Sequence, residues 1–272
     1  IAEHLHAAVV SAFPWWDAAL DPRYVQRMNP PVAVVTGATG TLGRRMVANL
    51  AAEGLSVLAV SRSGAATGFG ETMAIAADLG DDACVATIRD AAPEGRLAMV
   101  VHSVGLPGSA DVSSVEPALL ARAVDIKAGG LLRLMRALGE RIEPGTRIVA
   151  VGGHMGDEPT EHAPLAGVAN AALANLVRQL AGPLGRRHAS VHLIAPGPFD
   201  SDRVDAMVAR KAAVLGVDEG SVRDELLAEV PQGQLPRAED VAWAIGILLD
   251  PSASAMNGST LFLDGGSRRG IF

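Results

Sequence analysis

The chain of 272 residues has very little of what catalytic chemistry most often uses. It holds one tyrosine, Tyr24, one cysteine, Cys84, and only 3 % aromatic residues. A single cysteine cannot form an intrachain disulfide, so oxidative cross-linking is excluded as a source of stability and a reducing, cytoplasmic setting is expected. The formal net charge of −7 leaves no basic footprint for nucleic acid or for an anionic membrane surface. No apolar run approaches the ~18 residues that a membrane span requires. The opening IAEHLHAAVVSAF has no Lys or Arg ahead of its short apolar patch, which makes it a poor signal peptide. Internal repeats and low-complexity tracts are also missing.

What remains is aliphatic and small. Hydrophobic residues make up 49 % of the chain and glycine contributes 30 residues, a composition suited to close packing of helices on a sheet. Residues 1–31 read as an N-terminal arm that carries Trp15, Trp16 and Tyr24 and ends at Pro30 and Pro31. Residues 32–272 read as one domain. Short apolar runs at 32–36, 55–60, 72–77, 97–102, 147–151, 190–195 and 259–263 alternate with helical patterns. Runs of that kind predict strands buried on both faces, and their alternation with helices predicts right-handed βαβ units. The expected fold is α/β, a Rossmann-type doubly wound parallel sheet. The apolar helix around 166–182 is expected to be buried nearly all round, against the sheet or in a subunit interface.

The first run leads straight into TGATGTLGRRM. Gly37 suits a tight turn, Gly40 suits close approach of backbone to a pyrophosphate, and Gly43 suits helix-on-strand packing. The intervening Thr39, Thr41 and Leu42 belong to the same cradle, whose helix aims free N–H groups and a positive dipole end at phosphate. The second run ends in VSRSG, with Ser61, Arg62 and Ser63 where an NAD site carries an acidic residue. A guanidinium between two hydroxyls suits a 2′-phosphate, so NADP(H) is favoured over NAD(H).

From about residue 32 onward the chain resembles the short-chain dehydrogenase/reductases. The resemblance rests on TGATGTLG, on AADL with Asp78 and Leu79, on VHSVG with Ser103, Val104 and Gly105, on LIAPGPFDSD with Pro196 and Gly197, and on NGSTLFLDGG. It implies that these residues line the nicotinamide coenzyme. It also implies a lid over the substrate at about 198–235 and a homodimer or homotetramer. The spacing departs from the usual TGxxxGxG, since Thr41 stands at its middle glycine. The family's chemistry uses a Tyr that donates a proton, a Lys four residues on, a Ser that orients the substrate oxygen and an Asn that supports a water relay. Local alignment puts Ala166, Asn170, Gly153 and Asp125 at those four positions.

All four are changed, and Tyr24 lies far away in the arm. His154, directly after the Ser position, is the best-placed substitute acid, since an imidazole titrates in the useful range. Asp125 is the second candidate. His154, Glu158 and His162 match no compact metal-ligand spacing, so no metal is expected. The expected activity is an NADP(H)-dependent oxidoreductase with a non-standard proton relay acting on a small carbonyl, enone or related substrate. The alternatives are an inactive NADP(H)-binding relative serving as sensor or partner subunit, or a non-redox lyase or isomerase. No nucleic-acid or membrane partner is expected.

Overall fold

The computed structural model describes residues 30–65, 67–69, 72–108 and 110–270, apart from the side chain of Arg203. Most of the arm, including Trp15, Trp16 and Tyr24, lies outside the described residues. Seven strands form one parallel sheet in the order β3-β2-β1-β4-β5-β6-β7. They are β1 (Val32–Thr36), β2 (Ser56–Ser61), β3 (Thr72–Ala76), β4 (Leu97–His102), β5 (Arg147–Val151), β6 (Ser190–Pro196) and β7 (Thr260–Leu263). The chain winds outward from β1 through β2 to β3, then returns to the other side through β4. The crevice where direction reverses, at the C-terminal ends of β1 and β4, is where ligands bind in such sheets.

The strands sort their side chains by parity. Val32, Val34, Leu58, Val60, Val100 and Ile148 face one layer, with Leu131, Leu134, Leu173 and Val177 packed on them. Ala33, Val35, Val57, Ala59, Val101 and Val149 face the other, against Met46, Val47, Leu50, Val241 and Ile245. Both faces are thus covered, which is why these strands lack polar alternation. The second layer comes from α1 (Thr41–Ala52) and α8 (Ala238–Ile247). The first comes from α2 (Cys84–Ala91), from α3 (Pro117–Val124) and α4 (Gly130–Leu138), and from α5 (Pro164–Gly185). In α1 the buried residues Gly43, Met46, Val47 and Leu50 recur at helical spacing.

Between α3 and α4 the helix widens into a π turn, Asp125–Gly129, a device that commonly re-aims side chains near functional sites. Between β6 and α8 stand α6 (Asp202–Leu215) and α7 (Glu219–Ala228). They form a small hairpin with its own apolar centre of Val204, Val208, Ala212, Val222, Val230 and Leu235. Within this chain α5 buries one stripe, Leu165, Ala169, Leu173 and Val177, while Val168 is 46 % exposed. The nearly complete burial expected of that helix is therefore not provided by its own domain.

Candidate functional site

Five turns converge at the C-terminal edge of the sheet: those after β1, β2, β4, β5 and β6. Their glycines divide the work. Gly37 has φ +69, and a Cβ there would lie 1.9 Å from the Ser103 carbonyl oxygen. A Cβ on Gly43 would lie 2.1 Å from the Gly37 carbonyl oxygen. Both positions are closed by packing. Gly40 is different: a Cβ there would meet only the Gly37 oxygen, at 3.4 Å, and one on Gly105 would meet nothing within 4 Å. Gly40 caps α1 with extended backbone and no side-chain hydrogen bond. The first-turn N–H groups of Thr41, Leu42 and Gly43 have no intrahelical acceptor and open onto that space. These residues fit a diphosphate.

Beyond β2, the Ser61 hydroxyl accepts from the Gly64 N–H at 3.1 Å and the Ser63 hydroxyl from the Ala65 N–H at 3.3 Å. Both serines therefore build the turn that carries Arg62 outward, where it is exposed. Arg44 is tied back by Nε to the Thr39 carbonyl at 3.0 Å. Asp78 accepts from the Gly80 N–H at 2.9 Å and stands 3.6 Å from Arg122. Leu79 is a core residue, 3 % exposed, whose carbonyl accepts from Arg133. Its side chain faces the interior and not the cleft.

The walls at β4 and β5 are set by His102, Lys127 and Asn170. His102 is wholly buried. Its Nε2 lies 2.9 Å from the Lys127 carbonyl oxygen, and Nδ1 lies 3.2 Å from the Thr36 hydroxyl. A carbonyl only accepts, so Nε2 carries the proton and Thr36 donates to Nδ1. Burial, reinforced by the Lys127 ammonium, pushes the imidazole down to about 3, so it is neutral at physiological pH. Gly130 makes room for it, since a Cβ there would approach His102 Cε1 to 2.8 Å.

Asp125 does not reach the proposed relay. Its carboxylate is held by Arg133 at 2.9 Å and by Arg122 at 3.2 Å. Two residues on, Lys127 is the side chain that turns inward, with Nζ donating to the Val151 carbonyl at 2.9 Å. Two residues apart on a helix, the two side chains point to opposite sides.

His154 begins a short 3₁₀ turn, His154–Gly156. Its Nδ1 lies 3.4 Å from the Ser267 hydroxyl. Burial lowers its pKa, opposed by Asp264 and Glu158. The imidazole therefore engages the tail after β7, and as a lowered base it is mostly neutral near pH 7. Glu158 accepts from the N–H groups of Arg269 and Gly270 at 2.9 and 2.6 Å. His162 pairs with Asp111 at 2.9 Å. The three residues considered as a metal set thus have separate partners.

At the floor of the cleft, Gly153 has no side chain, and Asn170 fills the volume. Asn170 Nδ2 stands 2.8 Å from where a Gly153 Cβ would be. Ala166 is one turn earlier on α5. The Pro196–Gly197 turn closes the other side: the Gly197 N–H donates to the Leu263 carbonyl, and a Cβ on Gly197 would come within 3.0 Å of Asp264.

The family model described as enoyl-(acyl carrier protein) reductase matches residues 37–268. The chain is a short-chain dehydrogenase/reductase. Among curated relatives of this SDR, the short-chain reductase protein NovJ of Streptomyces niveus is 29 % identical over 258 residues, covering 86 % of this chain and 93 % of that one. The 3-oxoacyl-[acyl-carrier-protein] reductase FabG of Escherichia coli K12 is 25 % identical over 247 residues, covering 86 % and 96 %. An actinorhodin polyketide ketoreductase variant solved with NADPH superposes with a TM-score of 0.79 at 22 % identity, covering 89 % of the SDR and 98 % of that chain. At that identity the superposition establishes the fold. The SDR is thus of the oxidoreductase type.

Proposed function

We propose that the protein is an NADP(H)-dependent reductase of the SDR type that works without the family's tyrosine, on a small carbonyl, enone or related substrate. The observation that carries this reading is the open space over Gly40 and Gly105, beside glycines that packing itself demands. Thr41, Leu42 and Gly43 would hold the diphosphate through backbone N–H groups. Arg62, raised on the Ser61–Ser63 turn, would meet a 2′-phosphate. Ser103, Val104, Pro196 and Gly197 would flank the nicotinamide. A bound nicotinamide supplies a hydride; this chain's residues would supply orientation, which can lower the barrier of such a transfer by about 7–11 kcal/mol. The reductases among its relatives and neighbours support the same class.

The test is calorimetric titration with NADPH and NADH, followed by a scan of coenzyme oxidation with ketones, enones and quinones. The reading expects NADPH to bind, and Arg62→Ala to weaken NADPH by about tenfold or more while leaving NADH within about twofold, the loss of one charged hydrogen-bond pair. Equal losses for both coenzymes would remove the 2′-phosphate assignment. One specific feature favours a second reading, an inactive coenzyme-binding relative: Gly153, Ala166 and Asn170 have changed together. Binding of NADPH with no oxidation across the whole scan would establish that alternative. A homo-oligomer built on α4 and α5 belongs to the same proposal, with the exposed Val168 and Leu132 as the surface to probe by sedimentation.

A further inference from the structure

Trp243 is the only tryptophan outside the arm, and it is 61 % exposed. Ile247, one turn further along α8, is exposed on the same face at 38 %. A large apolar pair left in water in this way marks a contact site. It borders a groove of about 680 Å³ between α8 and α1, lined also by Asn49, Glu53, Gly246 and Asp250. The floor of the groove is closed: the Asn49 amide donates to the Ala242 carbonyl at 3.0 Å, and a Cβ on Gly246 would reach that amide at 3.5 Å. At one end Arg45 and Glu239 neutralise each other at 2.8 Å. At the other, Glu53 makes no ion pair among the described residues. Asp250 stands there too, and the Ser252 N–H holds its carboxyl below the usual range. That end is negative.

The acidic end lies where the arm joins the domain. Glu53 closes α1 just before β2, and the Ser56 N–H at the start of β2 donates to the Pro31 carbonyl at 2.9 Å. The groove and the entry of the chain into β1 thus share one turn. Residues 1–29 carry Phe13, Trp15, Trp16, Leu20 and Tyr24 in a chain with 3 % aromatic residues. The charged residues nearest to Pro30 are Arg27 and Arg23, both basic.

We propose that the groove between α1 and α8 is the docking site of residues 1–29 of the same chain, with Arg23 and Arg27 at the Glu53 and Asp250 end and with Trp15 and Trp16 against Trp243 and Ile247. The reach suffices. At about 3.5 Å per extended residue, residues 27–29 span roughly 10 Å, about the diameter of the helix they must round. The charge order agrees, since the basic residues of the arm are those that meet the acidic end first. The tether selects the occupant. A segment joined by a short linker is present at an effective concentration in the millimolar range, above that of a second copy or of another protein competing for the same face. Docking covers the exposed tryptophan and leaves the C-terminal edge of the sheet free, so it is independent of the coenzyme reading.

Two measurements on the full chain test this. The first is limited digestion with trypsin, followed by mass spectrometry at the bonds after Arg23 and Arg27. Cleavage of a docked segment follows the fraction that is open. Trp243→Ser and Glu53→Arg, both at exposed positions, should each speed cleavage after Arg23 by about tenfold or more, with cuts elsewhere unchanged. Adding Arg27→Glu to Glu53→Arg should restore slow cleavage after Arg23, which a mere loosening of the surface would not do. Equal rates in wild type and both single variants would overturn the proposal. The second measurement places the photo-crosslinker p-benzoylphenylalanine at position 243 and maps the joined peptides in a mixture of ¹⁵N-labelled and unlabelled protein. Crosslinks should join position 243 to residues 1–29 within one isotope population. Mixed-isotope pairs would assign the groove to a second copy, and crosslinks only to other segments, or none, would leave it unoccupied by the arm; each of these results overturns the proposal.

Discussion

At Gly40 and Gly43 the same added methyl has opposite meanings. On Gly43 it would lie 2.1 Å from a backbone oxygen that has nowhere to move, so α1 must separate from its turn. Gly43→Ala is expected to cost roughly 1–3 kcal/mol of stability, the range for overpacking, and to abolish coenzyme binding with it; urea unfolding and calorimetry read the two effects. On Gly40 the methyl meets one oxygen at van der Waals distance and the backbone angles suit any residue. Gly40→Ala is expected to cost less than about 1 kcal/mol while still weakening NADPH, because it fills the space above the helix start. Similar stability losses in the two variants would contradict this division. Spacing alone pointed to these glycines, because the turn that uses them is local. Asn170 was visible in the sequence only as a changed position. Its meeting with Gly153 joins α5 to β5 across the fold, and nothing in either local pattern carries that contact.

Among the elements, the tail after β7 is the one that sequence patterning left blank. NGSTLFLDGG pointed to a closing strand, and SRRG after it carried no pattern that indicated a partner within the chain. In the structure it returns to the loop after β5. Glu158 receives two of its N–H groups, Arg268 reaches Asp157 at 3.4 Å, and the Arg268 guanidinium stacks 3.8 Å from the Phe262 ring centroid. The two tail N–H groups hold the Glu158 carboxyl below the ordinary range. A depressed carboxylate stabilises above its unfolded value and releases as pH falls through its folded value. Glu158→Ala is therefore expected to raise amide exchange over residues 266–270 by at least about tenfold, with β1 and β4 unchanged, the pattern of a local opening. Protection retained in the tail would show that its stacking on Phe262 suffices. The π turn was equally silent in sequence. VDIKAGG continues the helical period, and only Gly130, which admits His102, and its neighbour Gly129 mark the place where the helix widens.

For the whole molecule, the sheet was legible because a parallel strand covered on both faces leaves an uninterrupted apolar run, and the seven expected runs correspond to the seven observed strands within a residue or so at each end. Two of those runs contain a histidine, His102 in β4 and His192 in β6, each fully enclosed. In the sequence they look like breaks in an apolar pattern; in the fold they make the stability of the entire domain depend on pH. Burial pushes them down to about 3 and about 4. Unfolded imidazoles titrate near 6.5. Between that value and the folded ones, the unfolded chain binds more protons than the folded one, so stability rises with pH and falls as the solution is acidified. At pH 5 each imidazole withdraws about 2 kcal/mol relative to pH 7, at about 1.4 kcal/mol per pH unit below 6.5. The depressed carboxyls of Asp240 and Asp250 act only further down, below about pH 4. Urea unfolding should accordingly show a steep loss of stability between pH 6.5 and pH 4.5. His192→Gln, which keeps a hydrogen-bonding group beside Ser190, should remove about half of that slope without touching the cleft. A slope left whole in this variant would mean that strand β6 opens to protons before the domain unfolds.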